Sequence, residues 1–292
     1  MNKQSLFAAI LVASFSWNST AIAEPAIAWS LEGFDQPESV LLDPTSQQLL
    51  VSNINGAPLE LNGQGYISKV SMDGQLLKKH WAQGFDAPKG MAIAGDKLYV
   101  ADMQNLHLVD SNNGKIITSY FVSGSKMLND VSVDNEGNVY VSDLIAGGVY
   151  RLQQGKFEKW LSSELLPHPN GLFIQQDQLY IATWGNEMQA DFSTKTPGKV
   201  YQLALTDSAK KLRSISGPMG NLDGIASHRG QLFINDWING NVFSLKEGQS
   251  KLIFNAGPGA ADISLYDGKL IVPMMLDNKL DVYQIDQDDV NN

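Results

Sequence analysis

The chain has 292 residues, no cysteine, and 21 basic against 31 acidic residues, a net charge of −10. Without cysteine, disulfides, thiol catalysis and cysteine-ligated zinc or iron are excluded. An acidic chain with no basic block is a poor partner for nucleic acid or an anionic membrane, so the expected partner is a small-molecule substrate.

In chain order, Lys3 gives a positive start, residues 6–15 are mostly apolar, and Ala21-Ile22-Ala23 is a small-residue cleavage signal. Residues 1–23 therefore read as a signal peptide cleaved near Ala23, and the protein is expected to be periplasmic or secreted. The apolar stretch is short and is broken by Ser14, Ser16, Asn18 and Ser19, so no membrane insertion is expected. The removed segment carries one Lys and no acid, which leaves 20 minus 31, or −11.

Six copies of one pattern follow: a turn, a β-strand, a polar turn and a second β-strand. They read QPESVLLDPTSQQLLVSN from Gln36, APKGMAIAGDKLYVAD from Ala87, LNDVSVDNEGNVYVSD from Leu128, PNGLFIQQDQLYIAT from Pro169, LDGIASHRGQLFIND from Leu222 and ADISLYDGKLIVPM from Ala261. Repeats of about 40 residues mark a solenoid or a propeller, and strand-built repeats favour the propeller. Innermost strands are predicted over 40–42, 91–93, 131–133, 172–174, 225–226 and 263–265. Second strands, richer in β-branched and aromatic residues, are predicted over 49–52, 98–101, 139–142, 179–182, 232–235 and 270–272. Third and fourth strands follow in every copy except the sixth, which lacks a fourth. Residues 26–31 supply a spare strand, expected to complete the sixth blade and remove an exposed edge. No segment keeps a helical period over three turns. The expected fold is all-β: a six-bladed β-propeller, four antiparallel strands per blade, closed by the N-terminal strand, one domain over 24–286 and an acidic tail over 287–292.

One equivalent residue per copy then stands at the mouth of a central channel: Glu38, Lys89, Asn129, Asn170, Asp223 and Ala261. Their spacings are 51, 40, 41, 53 and 38. The long intervals come from insertions between second and third strands, 54–64 and 184–197, on the face that carries the ring. Long loops on a rigid scaffold are where function concentrates. Glu38, Asn129, Asn170 and Asp223 are oxygen donors. Two carboxylates balance a divalent cation, and an all-oxygen shell favours a hard ion: Ca²⁺ first, then Mg²⁺ or Mn²⁺, with Zn²⁺ also admitted. Such a cation could polarise a carbonyl or phosphoryl oxygen or activate a water. A plainer origin is open too, because Asn170-Gly171 and Asp223-Gly224 are also turn chemistry. Lys89 has three readings: an ammonium that binds an anionic substrate or an oxyanion, a side chain that swings to a surface acid, or a charge that replaces the metal.

The segments PESV, LNDV, PNGL and LDGI resemble the first-strand starts of the six-bladed gluconolactonase, regucalcin and diisopropylfluorophosphatase superfamily, with paraoxonases more distant. That superfamily takes a Glu from the first blade, an Asn from the third and fourth, and an Asp from the fifth. This chain carries Glu38, Asn129, Asn170 and Asp223 in that order. The resemblance implies a calcium- or other divalent-dependent hydrolase of lactones, esters or organophosphates. Glu38, Asn170 and Asp223 would be core ligands, Asn129 a ligand or substrate contact, and Asp223 the catalytic base or nucleophile. The chain departs from the pattern where the sugar-lactonase branch carries an Arg before the third-blade Asn; here the stretch is Ser125-Lys126-Met127-Leu128, with Lys126 as the available substitute. The paraoxonase His pair has no counterpart, and His168 is the histidine nearest the ring. Because NHL-type propellers share the same strand start, the alternative is a noncatalytic propeller binding a peptide, polymer or small ligand on the same face.

Eight methionines follow the signal segment, and six fall on the site face: Met103, Met127, Met188, Met219, Met274 and Met275. Trp184 and Trp237 follow second strands on that face. Flexible apolar side chains around a polar floor suit a small-molecule pocket; packing between blades is the competing reading for Met274 and Trp237. The expected substrate contacts are Lys89, Asn129, Met127, Trp184 and Trp237. Such a rim fits an aryl ester, a longer-chain lactone or an organophosphate better than a free sugar lactone.

Overall fold

The structure, a computed structural model, describes residues 25–285 apart from 163 and 165. The predicted signal segment and acidic tail lie outside the described residues. Six four-stranded antiparallel sheets form a ring of blades. Blade 1 is Pro37–Asp43, Gln48–Asn53, Gly65–Ser71 and Leu76–Phe85. Blade 2 is Pro88–Ala94, Lys97–Asp102, Asn105–Asp110 and Ile116–Phe121. Blade 3 is Leu128–Val133, Val139–Asp143, Val149–Gln153 and Lys156–Leu161. Blade 4 is Pro169–Gln175, Gln178–Thr183, Val200–Ala204 and a short outer strand, Arg213–Ser214. Blade 5 is Leu222–His228, Gln231–Asp236, Asn241–Lys246 and Gln249–Asn255. Blade 6 is Ser264–Tyr266, Lys269–Met274 and Lys279–Gln284, with Ile27–Glu32 as its outer strand. The first strand pairs antiparallel with the last, from Ile27 against Tyr283 to Glu32 against Lys279, which closes the ring.

The core is distributed between the blades. Residues from successive blades meet in six clusters: Leu50 and Ile67 with Met91 and Val100, Ala92 and Tyr99 with Val131 and Val141, Tyr140 and Val149 with Leu172 and Leu179. The ring continues with Ala182 and Val200 against Ile225 and Ile234, Phe233 and Val242 against Leu270 and Val272, and Ile271 and Val282 against Val40 and Leu49. Each blade buries both faces, which is why its second strand reads as a nearly continuous apolar run.

The innermost strands of blades 1 to 5 start earlier than the apolar runs suggest, because Pro37, Pro88, Leu128, Pro169 and Leu222 already pair with the second strand. In blade 6 the predicted 263–265 becomes Ser264–Tyr266. Two elements were not expected. Residues Met275–Asp277 form a 3-10 turn, and the insertion 184–197 folds into a hairpin of Gly185–Met188 and Thr194–Pro197. Among the described residues no helix is long and apolar enough to cross a membrane.

The second strands carry a repeated device at their site-face ends: Val51-Ser52-Asn53, Val100-Ala101-Asp102, Val141-Ser142-Asp143, Ile181-Ala182-Thr183 and Ile234-Asn235-Asp236. In blades 1, 2, 3 and 5 the last residue receives the incoming connection, whereas Thr183 Oγ1 accepts Lys199 N–H at 3.0 Å. Asn53 Oδ1 accepts Asp35 N–H at 3.1 Å, and Asp102 accepts Asp86 and Ala87 N–H at 2.7 Å each. Asp143 accepts Lys126 and Met127 N–H at 2.8 and 3.2 Å, and Asp236 accepts Asn221 N–H at 3.2 Å.

Glycine sets how closely the innermost strands approach at the axis. A Cβ added at Gly171 would lie 1.9 Å from the Asp223 carbonyl oxygen, and one at Gly224 2.3 Å from Ile263 N. Nothing short of a backbone shift relieves either clash. Gly171→Ala should therefore destabilise the fold by about 3 kcal/mol, measured by urea unfolding. Gly217→Ala, where an added Cβ meets nothing within 4 Å, should stay within about 0.5 kcal/mol.

Candidate functional site at the channel mouth

Glu38, Lys89, Asn129, Asn170 and Asp223 each occupy the second position of an innermost strand. In all five blades the pairing register shifts across that position: Pro37/Val40, Pro88/Met91, Leu128/Val131, Pro169/Leu172 and Leu222/Ile225. A bulge re-aims side chains and leaves backbone groups without ladder partners. The second strand satisfies the freed N–H: Ser39 N donates to Ser52 Oγ at 3.0 Å, Asp130 N to Ser142 Oγ at 2.9 Å and Gly224 N to Asn235 Oδ1 at 2.9 Å. In blades 1, 3 and 5 the middle residue of the second-strand device thus supports the ring.

These five side chains line one cavity of about 130 Å³. All five are buried, Lys89 to 1% exposure and Asn170 likewise. Asn170 Nδ2 donates to Asp223 Oδ1 at 2.7 Å and weakly to the Leu222 carbonyl at 3.4 Å. Its own Oδ1 has no hydrogen-bond partner, and neither does Glu38 Oε2. Buried oxygens without partners are uncommon and costly. Both belong to side chains that line the cavity.

Burial, then repulsion from Asp223, pushes the Glu38 carboxyl well above the usual carboxylate range, with Lys89 pulling the other way. Burial, then Asp262, raises Asp223 in the same manner, partly offset by the Asn170 hydrogen bond. Burial lowers the Lys89 ammonium, against the pull of Glu38 and Asp102. Lys89 does not salt-bridge these acids: among the described residues no carboxylate lies within ion-pair distance of it. Its Nζ donates to the carbonyls of Ala87 at 2.8 Å and Pro58 at 3.3 Å, with Met103 Sδ at 3.7 Å.

Two further carboxylates lie deeper in the channel and were missed by the sequence reading. Asp130 and Asp262 directly follow the ring positions of blades 3 and 6 and line a second cavity of about 260 Å³ toward the opposite face. Asp130 accepts Val131 and Leu172 N–H at 2.6 and 2.5 Å. Asp262 accepts Ser39 Oγ–H at 2.6 Å. Burial raises both, Asp262 to about 7. Their signal was the residue after each ring position, reading Ser39, Gly90, Asp130, Gly171, Gly224 and Asp262: small or acidic throughout.

Above the floor the wall is apolar. Met127, Leu144, Trp184, Phe192 and Trp237 form one side; Ile54, Pro58 and Met275 form the other, with Asp191 at the rim. Trp184 and Trp237 lie with ring centroids 6.0 Å apart. Both insertions contribute, 54–64 through Ile54 and Pro58, and 184–197 through Trp184, Asp191 and Phe192. Other expectations for the face are corrected. Met274 packs in the core between blades 5 and 6, Met219 against the core between blades 4 and 5, and Met103 and Met188 stand behind the cavity lining. Lys126 is exposed and does not line the cavity. His168 is a loop residue whose Nδ1 meets the Leu144 carbonyl at 2.8 Å.

Among the described residues no three His, Cys, Asp or Glu side chains cluster as a metal site. The floor instead combines two carboxylates with two amides. That donor set fits a hard divalent ion, and the two orphaned oxygens are the positions such an ion would satisfy.

Fold and site together define a six-bladed β-propeller with a polar-floored, apolar-walled cavity at one mouth of its channel. Among solved structures it is similar to a gluconolactonase from Xanthomonas campestris, with a TM-score of 0.67 and 16% identity over 89% of this chain and 89% of that chain. At that identity the likeness is one of fold. No family model and no curated protein sequence matches the chain.

Asp262 gives a pH prediction. Its carboxyl titrates at about 7 instead of 3.8, so between those values the native protein holds a proton that the unfolded chain has lost. Stability from this group is present at low pH and falls as pH rises through 7. Asp262→Asn should flatten the decline of metal-free stability between pH 5 and 8, by at most about 1.4 kcal/mol per pH unit. Urea unfolding across that range measures it.

Proposed function

We propose that the protein is an exported, divalent-cation-dependent hydrolase of lactones or esters, acting at the channel mouth. The observation that carries the reading is the pair of buried, unpartnered oxygens, Glu38 Oε2 and Asn170 Oδ1, in a cavity whose carboxylates form no ion pair with the Lys89 ammonium that shares it. Glu38, Asn129, Asn170 and Asp223 would hold the cation, with Ca²⁺ the best match to four oxygen donors. When bound, it would polarise the carbonyl oxygen of the substrate. The likeness in fold to a gluconolactonase supports the hydrolase class.

The chain's own groups supply the rest. Asn170 fixes the orientation of Asp223 through the 2.7 Å hydrogen bond to Oδ1, so Asp223 is placed to take the proton from an attacking water. Asn129 orients the substrate. Met127, Trp184 and Trp237 exclude bulk water, which strengthens every electrostatic contact inside. Lys89 spends its donors on Ala87 and Pro58 and braces the 54–64 insertion against the mouth; its charge lies near enough to Glu38 to favour an anionic group in the site.

The test is metal analysis of the purified protein together with turnover of γ-lactones and esters. Wild type should carry close to one calcium per chain and hydrolyse the substrates. Glu38→Gln should lose the metal, and Asp223→Asn should lower kcat/KM by at least about 100-fold. A metal-free wild type that binds ligands unchanged, with no turnover, would instead identify a noncatalytic binding propeller.

A further inference from the structure

The 184–197 hairpin holds two non-glycine residues at positive φ, Glu187 at +52° and the bulkier Phe192. Phe192 has φ of +65°, a left-handed conformation that a bulky residue rarely adopts, and such outliers persist only where their surroundings over-determine them. Here they do. Trp184 Nε1–H donates to the Phe192 carbonyl at 2.6 Å, and Phe192 N–H donates to the Gln189 carbonyl at 3.0 Å. Gln189 N–H closes the turn on the Ser193 carbonyl at 2.7 Å. The hairpin base is fixed by Asn221, whose Nδ2 donates to the Trp184 carbonyl and to Thr194 Oγ1, at 2.9 Å each. The result is that Phe192 joins Trp184, Met127, Leu144 and Trp237 in a single apolar wall.

The size of this space limits what it takes. A dry cavity of about 150 Å³ lined by apolar side chains accepts benzene; this one, about 130 Å³ with its polar floor included and open at the channel mouth, takes one ring on the floor with its substituent lying along the wall toward the opening. Its wall offers no partner to sugar hydroxyls, each of which would be desolvated at a cost. Resting on the hydrolase reading above, we infer that the hairpin wall is a subsite for one planar apolar substituent on the substrate, and that Phe192 is its specificity-determining residue. Trp184 acts as a positioning residue through its indole N–H. The substrate class is therefore an aryl- or compact alkyl-substituted lactone or ester, with polyhydroxylated sugar lactones rejected.

Binding is measured with neutral lactam analogues that resist hydrolysis, 5-phenyl-2-pyrrolidinone and unsubstituted 2-pyrrolidinone, by calorimetry in calcium buffer. Hydrolysis of the matching lactones and of gluconolactone is followed in parallel. Wild type should bind the phenyl lactam about tenfold or more tightly than the parent. Phe192→Gly removes the ring while suiting the left-handed backbone, and it should erase most of that preference. Trp184→Phe keeps a ring but loses the N–H, and should reduce the preference in the same direction. Equal binding of the two lactams by wild type, or an undiminished preference in Phe192→Gly, overturns the subsite even if both lactones are hydrolysed. A phenyl preference that depends on Phe192, without turnover of any lactone, upholds the subsite and removes the hydrolase reading instead.

Discussion

Negative charge confined away from water is the constraint around which this molecule is organised. Glu38, Asp130, Asp223 and Asp262 stand along one channel; burial raises the proton affinity of all four, and neighbouring acids raise that of Glu38, Asp130 and Asp223 further. The buried Lys89 ammonium beside them donates to backbone carbonyls instead. A protein gains nothing in stability from this arrangement. Such groups persist where they perform chemistry or hold an ion.

The fold makes the concentration tolerable by keeping stability elsewhere. Six inter-blade clusters supply the apolar burial, and the N-terminal strand seals the ring. The axis is then free to carry strained electrostatics. Five bulges turn ring side chains toward the channel, and Ser52, Ser142 and Asn235 take up three of the N–H groups so released. Glycines at 171 and 224 let the innermost strands approach closely enough to form one floor. On that floor stands an apolar wall to which both insertions contribute, Ile54 and Pro58 from one and Trp184 and Phe192 from the other.

Much of this was legible in the sequence, and the limits have physical causes. The blade count, the closing strand and the two lengthened loops follow from repeat spacing and alternation, which report backbone geometry directly. Glu38, Asn129, Asn170 and Asp223 could be aligned because each follows a strand-starting turn. Asp130 and Asp262 could not. In a regular strand the residue after a ring position points to the opposite face, and only the bulge lets neighbours such as Asn129 and Asp130 both line the channel. The partners of Lys89 are main-chain carbonyls of Ala87 and Pro58, which no side-chain pattern announces. Phe192 was hidden because its placement depends on a hairpin within 184–197, and that hairpin depends on a tryptophan N–H reaching eight residues along the chain. Met219 misled because a methionine serves a core as readily as a rim, the reading already open for Met274.

The central claim is that the floor of the mouth is built to hold a hard cation. A crystal structure of the protein grown in calcium tests it most directly. The account predicts a spherical density peak bounded by Glu38, Asn129, Asn170 and Asp223 oxygens at about 2.3–2.6 Å, with Lys89 still on the Ala87 carbonyl. Water alone in that position, with the Lys89 ammonium drawn across to Glu38 or Asp223, would contradict it.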